Sequence, residues 1–585
     1  MVAFLRWTKS IGLGVLNGVV KFALFVVLFV VVLVAIAAFR GDGMPSNMVL
    51  ALDLRAPLAD SANSDFEFMA SPVTVMDIVL ALDAAERDAR VKGVVLRIGS
   101  ANLSIAQAEE IGAALRKFRA SGKFVVAHSQ GFEAAGLGDY LTVADASEIW
   151  MQPRAPFTAA GEGGAQIFLR GLLDKINADP QIVKRADYKS AADQFMEKNM
   201  TPADREQLTA LMQSWYDTAT AAAAAGRHLT RAQVVAAFEA SPQLTEDARA
   251  AGLVDRIGFD DDAQNAALAR AGAGAKLAPM AQYVHAAREA GAYGSGPRIA
   301  LIQASGEIQD GSGSGDVIAG DDLSRAIRDA AKDKDVRAII LRVDSPGGSV
   351  TASDQILDAV KKAQAAGKPV VVSMGGVAAS GGYYISLSAN RIVAEPGTIT
   401  GSIGVLTGKI SFDRSLALAG VGTDTVGVGH NALYNSQFQP YTADQLAALN
   451  READAIYADF TAKVAAGRRL PLAKVQDIAK GRVWSGADAQ SRGLVDQLGG
   501  FWTAAGTAKA LAGIAPDERV SFRLYPRKKG LFEAVGELFG GSPAVARAAE
   551  NFVTLMNAAP VQAVVGAVNE LPRGGVELRA TNLPR

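Results

Sequence analysis

The sequence predicts an α/β protein built from two tandem copies of one unit, preceded by a transmembrane helix. Three observations carry this reading: alternating strand and helix patterns, a long-range internal repeat, and one uninterrupted apolar run near the N-terminus. In the C-terminal half "RIALIQASGEI", "VRAIILRVDS", "KPVVVSM" and "RIVAEPG" have the β-branched character of strands, while "DDLSRAIRDAAKD" and "TASDQILDAVKKAQAAG" space their apolar residues as helices do. Strand and helix in alternation imply a mostly parallel sheet with crossover helices.

The repeat begins with "VVLRIGSANLSIAQAEEI" from Val94, which returns as "IILRVDSPGGSVTASDQI" from Ile339 at an offset of 245 residues. It continues in order through "SGKFVVAHSQGFEAAG" and "AGKPVVVSMGGVAASG", "AAGRHL" and "AAGRRL", then "GLVDRIG" and "GLVDQLG", where the offset is 241. Two long copies indicate a duplicated domain rather than a solenoid. The copies span residues 45–289 and 299–525, joined by the glycine-rich linker 290–298. Near the end of each copy, Thr201 to Gly226 and Thr442 to Gly467 read as long amphipathic helices suited to packing on a neighbouring unit.

Residues 1–44 hold a short tail and the apolar run Phe22 to Phe39, flanked by Lys21 and Arg40. Its 18 residues reach about 27 Å as a helix, against a hydrocarbon core of about 30 Å. Ala35-Ile36-Ala37 resembles a signal-peptide cleavage site, but the run exceeds the roughly 7 to 15 residues of a cleavable apolar segment, so a retained anchor is expected. Arg6, Lys9 and Lys21 precede the run, which places the N-terminus in the cytoplasm and the rest of the chain across the membrane. At the other end, residues 526–585 open with "PRKKGLFEAVGELFGG", a basic amphipathic stretch fitted to a membrane surface, a neighbouring subunit or plain solvent exposure.

Composition narrows the chemistry. The 59 Lys and Arg nearly balance the 60 Asp and Glu, so no strong positive field is available and nucleic acid is not expected as a partner. Cysteine is absent, which removes disulfides, thiolate metal sites and cysteine nucleophiles. The histidines at 128, 228, 285 and 430 show no metal-binding spacing. No cofactor or metal is expected.

Two glycine-bearing turns follow strands in the second copy. In "DSPGGSVTASD" Gly347 and Gly348 let backbone approach a ligand closely, and N–H groups there can stabilise an oxyanion. In "GGVAASGGYYIS" Ser380 stands at a helix start beside the Gly381 N–H. Taken alone, the ASGG stretch also suits close helix–sheet packing, and Asp344 reads as a turn or capping residue. The first copy has Ala135 where the second has Ser380, and Ser100-Ala101-Asn102-Leu103 where the second has Ser345-Pro346-Gly347-Gly348. Conversely, the first copy's "ADYKSAADQF" contains Lys189, while the second copy's approximate match "GVGHNALYNSQF" has no lysine. On local sequence alone Lys189 reads as a surface lysine. The halves nevertheless look complementary.

Together "RVDSPGGSVTASD", "GGVAASGGYYIS", "EPGTITGSIGV", "DYKSAADQF" and "GRVWSGADAQSRGLVDQLG" resemble the long, duplicated form of the signal peptide peptidase A (protease IV) family, over roughly residues 45 to 525 and including the anchor. The resemblance implies a Clp-protease/crotonase-like fold and a membrane-anchored serine protease with a Ser/Lys dyad. Ser380 matches the nucleophile, Lys189 the general base, Ser402 a serine that holds the lysine, and Gly348 and Gly381 the oxyanion hole. It further implies a homotetramer on the periplasmic face of the bacterial inner membrane, in contact with the lipid bilayer, that degrades cleaved signal peptides and similar unfolded apolar peptides. A lysine with an ordinary pKa near 10.4 must come down to about 7 or 8 to act as a base at neutral pH, and an apolar groove supplies that shift. Two other readings fit the fold: acyl transfer on acyl-CoA, disfavoured by export of the domain, and a catalytically silent membrane scaffold.

Overall fold

A computed structural model of the chain describes residues 43–61, 73–101, 103–133, 137–289, 296–313, 317–418 and 420–526. The expected anchor at 22–39, Ala135, most of the linker and the extension beyond Pro526 lie outside the described residues. Among the described residues no helix is long and apolar enough to cross a membrane. Nearly all of them belong to one compact unit, Pro45–Asp65 with Ser71–Arg527.

Each copy forms its own sheet. In the first, the order is Arg256–Ile257, Glu148–Met151, Phe124–Ser129, Val91–Ile98, Met48–Asp53 and Lys276–Pro279, all parallel. In the second it is Val483–Ser485, Ile399–Gly401, Val370–Ala379, Val336–Ser345, Arg298–Ser305 and Ser521–Tyr525, with Arg391–Ala394 also beside Val370–Ala379. Its pairs are parallel except Ile399–Gly401 with Val483–Ser485. The strands read from sequence are present, and Arg298, which begins "RIALIQASGEI", is the first residue of one of them.

The central strands carry runs such as Ile339-Ile340-Leu341, all fully buried, as expected for parallel strands covered on both faces. Leu323 and Ile327 of helix Gly320–Lys332, and Ile356 and Val360 of helix Val350–Ala365, close the core of the second copy against Ile302, Ile339 and Val372. Ser349 caps the second of these helices, its hydroxyl accepting from the Ala352 N–H at 3.2 Å.

The duplication extends to single hydrogen bonds. Thr201 and Thr442 cap the 26-residue helices Pro202–Arg227 and Ala443–Arg468, which end on the left-handed residues His228 and Arg469. Tyr140 donates its hydroxyl to the Leu253 carbonyl at 3.0 Å, and Tyr383 does the same to Leu494 at 2.9 Å.

The copies part company where they meet. Strand Asp179–Arg185 of the first copy pairs antiparallel with Val405–Ser411 of the second, with Arg185 opposite Val405. The copies also meet at Arg342, which is fully buried, with its guanidinium 2.6 Å from Asp60, 2.8 Å from Glu110 and 2.9 Å from the Ser373 hydroxyl. A buried guanidinium is tolerable only with such partners, so this network fixes the register of one copy on the other. Asp344, read as a turn residue, accepts from the Val377 N–H at 2.9 Å. Burial, aided by the neighbouring Asp60 charge, pushes its carboxyl up to about 6.

Candidate active site

Ser380 follows strand Val370–Ala379 and caps the short helix Gly381–Ser386. Its backbone, at φ 55° and ψ −116°, is in a region that side chains other than glycine rarely adopt, at a cost of about 1–3 kcal/mol. Two hydrogen bonds hold it there: its N–H donates to the Gly401 carbonyl and its carbonyl accepts from the Tyr384 N–H, both at 2.9 Å. A residue kept in such a conformation at a strand-to-helix turn presents its side chain away from both elements.

The Gly347-Gly348 turn lies alongside. Gly347 and Gly348 have φ of 109° and 147°, and a Cβ on Gly348 would stand 2.1 Å from the Ile308 carbonyl oxygen, so neither position accepts a side chain. A Cβ on Gly381 would lie 3.1 Å from the Gly348 nitrogen, which places the two amides side by side. Neither N–H donates to an acceptor among the described residues.

Lys189 arrives from the other copy. Strand Asp179–Arg185, fixed on Val405–Ser411, runs into a turn at Ala186 (φ 72°), and the lysine side chain then passes between Gly404 and Gly481. A Cβ on Gly404 would stand 3.2 Å from Lys189 Cδ, and one on Gly481 2.6 Å from Lys189 Cβ. The amine ends 3.1 Å from Ser380 Oγ, 2.9 Å from Ser402 Oγ and 3.1 Å from the Ser402 carbonyl oxygen. Ser402 is itself strained at φ 49°, and its N–H donates to the Arg482 carbonyl at 2.8 Å.

Only 7% of Lys189 is exposed, and burial pushes its amine down to about 8 from the ordinary 10.5. Among the described residues the amine's hydrogen-bond partners are Ser380 and Ser402, and no carboxylate is one of them. An amine with this pKa is about one-tenth neutral at pH 7, and the neutral form has one lone pair and two N–H groups. The two Ser402 oxygens can accept those N–H groups, leaving the lone pair for the Ser380 hydroxyl. The arrangement can therefore deprotonate a serine beside two unoccupied amide donors.

All five residues singled out in the sequence, Ser380, Lys189, Ser402, Gly348 and Gly381, converge here. Sequence reading missed Gly404 and Gly481, whose only signal was glycine in "GSIGV" and "KGRVW". It also paired Ser380 with Ala135. The folded helices pair Gly381–Ser386 with Gly138–Val143, because Tyr383 and Tyr140 are the third residue of each, and this sets Leu137 at the serine's position. Neither residue supplies a hydroxyl. In the first copy the Asp139 carboxylate also accepts from the Ala101 and Leu103 N–H groups, both at 3.1 Å. The turn matching the Gly347-Gly348 turn is thus capped internally. Among the described residues no group of three or more His, Asp or Glu side chains is placed to hold a metal ion.

A strained serine beside a buried amine, on a duplicated α/β unit, is the arrangement of a serine peptidase, and the pattern described as Clp protease matches residues 323–396. The pattern described as Peptidase family S49 matches twice, over residues 117–274 and 362–515, and the chain belongs to that family. Protease 4 of Salmonella typhi is 30% identical over all of this chain and 97% of its own length. Protease 4 of Haemophilus influenzae is 31% identical over 84% of both chains. The chloroplastic serine protease SPPA of Arabidopsis thaliana is 31% identical, covering 84% of this chain and 73% of the relative.

Proposed function

We propose that the protein is a membrane-anchored endopeptidase in which Ser380 is the nucleophile and Lys189 the general base. The observation that carries the reading is the 3.1 Å approach of a buried amine, lowered to about 8, to a serine hydroxyl. Neutral Lys189 takes the Ser380 proton as Oγ bonds to the scissile carbonyl carbon, and the resulting oxyanion is held by the N–H groups of Gly348 and Gly381. Collapse breaks the C–N bond, and the Lys189 ammonium gives its proton to the leaving amine. Water then attacks the acyl-enzyme, giving a proton to Lys189, which returns it to Ser380 as the acid product leaves. Ser402 holds the amine with its lone pair towards Ser380. No cofactor or metal takes part.

The substrates are cleaved signal peptides and similar unfolded apolar peptides. The protein works as a homotetramer in contact with the lipid bilayer, held in the bacterial inner membrane by residues 22–39, with the N-terminus inside and residues 45–525 in the periplasm. Copy 45–289 contributes the base and copy 299–525 the nucleophile. The full-length relatives named Protease 4 and the apolar run of 18 residues support this reading. It is tested by incubating the full chain in detergent with a synthetic signal peptide and with a folded globular protein. Cleavage of the peptide alone is expected; equal cleavage of both, or of neither, contradicts it.

A further inference from the structure

Gln207 lies on the first turns of helix Pro202–Arg227 and is almost wholly buried, an unusual place for an amide without a task. Its Nε2 donates to the Tyr188 carbonyl at 3.1 Å and to the Ser190 hydroxyl at 2.8 Å, the residues on either side of Lys189. A third acceptor, Asp204 Oδ1, lies 3.0 Å away on the same helix. Its Oε1 accepts from the Val483 N–H at 3.2 Å. Val483 pairs with Gly401, and the preceding carbonyl, that of Arg482, accepts from the Ser402 N–H. One amide therefore holds the backbone that carries the lysine and the strand that fixes the serine on which the lysine rests.

We propose that Gln207 is a further positioning residue of the reaction: it holds the Lys189 backbone in place by bridging segment Tyr188–Ser190 of one copy to strand Val483–Ser485 of the other. The proposal rests on the Ser380/Lys189 reading given above. Other contacts brace the same segment, but none of them reaches strand Val483–Ser485 itself. The Tyr188 hydroxyl donates to Glu206 at 2.9 Å, and Arg482 pairs with Glu206 at 2.6 Å while lying over the Tyr188 ring. The Tyr188 N–H donates to the Lys480 carbonyl at 3.1 Å. Further along the helix, Ser214 meets Ser485 at 2.8 Å and the Trp215 indole donates to the Gly397 carbonyl at 2.9 Å. These would keep the helix docked when the amide is removed.

The charged groups facing the segment are Asp204 and Glu206 from the helix and Arg482 and Lys480 from the second copy. None is a hydrogen-bond partner of the Lys189 amine, whose partners among the described residues are Ser380 and Ser402. Loosening the segment admits water to the amine and weakens the desolvation that lowers it, so the acid limb of activity moves towards higher pH.

The test uses the full-length enzyme with Gln207→Met, which keeps an unbranched chain of the same length, and Ser190→Ala, which removes one of the amide's contacts. Lys189→Ala serves as the control. With a peptide substrate, Gln207→Met is expected to lower kcat about 10- to 100-fold with KM changed less than about threefold, and to move the acid limb of kcat/KM up by at least about half a pH unit. Ser190→Ala shifts both in the same direction by less. A merely structural amide would lower Tm and leave the acid limb in place, and that result in either variant overturns the proposal. If Lys189→Ala retains normal turnover, the dyad reading itself fails, a separate outcome.

Discussion

Gly481 presses its backbone against Lys189 so closely that a Cβ on the glycine would stand 2.6 Å from the lysine Cβ and 2.7 Å from its backbone nitrogen. Gly481 also lies at φ 74°, where a side chain adds strain. Gly481→Ala must push the Tyr188–Ser190 segment away from the second copy. We expect kcat to fall about 100-fold with an unchanged sheet core, because a displacement near 1 Å at a reacting group has that effect. Steady-state kinetics alongside circular dichroism check it.

The Lys189 amine, lowered to about 8 by burial, must be neutral to act. The kcat/KM of the free enzyme should therefore rise about tenfold per pH unit below pH 8 and level off above it. A histidine-like midpoint near 6.5 in the pH–rate profile would contradict the assignment.

The same burial costs stability. Below pH 8 Lys189 is protonated in both folded and unfolded chains, and the folded chain carries the full cost of a desolvated ammonium. Between pH 8 and 10.5 the unfolded chain binds the additional proton, so stability rises with pH across that window. A shift from 10.5 to about 8 corresponds to about 3 kcal/mol. Lys189→Met should thus be inactive yet more stable at pH 7 by about 2 kcal/mol, allowing about 1 kcal/mol for the Ser402 carbonyl left without its donor. The gain should disappear above pH 10.5. Denaturant melts at pH 7 and pH 11 measure both ends.

Lys189 and Ser380 approach within one chain, joined by the strand pair Asp179–Arg185 with Val405–Ser411. Mixing Ser380→Ala protein with Lys189→Ala protein should recover no activity under conditions that exchange subunits. Recovery in mixed oligomers would require a site shared between chains.

How much of this was legible in the sequence follows from the range of the interactions. Ser380, Gly348 and Gly381 announce themselves because each lies in a short turn directly after a strand, and the elements around them obey local periodicity. The repeat was equally plain, since it preserves contiguous motifs. Lys189 was legible only as a complement, a lysine in one copy where the other lacks one, combined with family resemblance. Gly404, Gly481 and Gln207 were not legible. Their roles depend on backbone of the other copy, brought near by a strand that leaves its own sheet, and nothing local distinguishes them from loop glycines or a solvated glutamine. The internal cap at Asp139 was hidden for a similar reason, because it fills with a carboxylate the turn that the second copy keeps open.

In the proposed mechanism the Lys189 amine activates the Ser380 hydroxyl. The most direct measurement is the rate of covalent labelling by a serine-directed fluorophosphonate, followed by mass spectrometry of the labelled peptide, in wild-type and Lys189→Met protein across pH 6 to 10. We predict label on Ser380 alone, a wild-type rate that climbs to a plateau above pH 8, and a rate at least about 100-fold lower without the amine. Labelling of Lys189→Met at the wild-type rate, or label on a serine other than Ser380, would contradict the account.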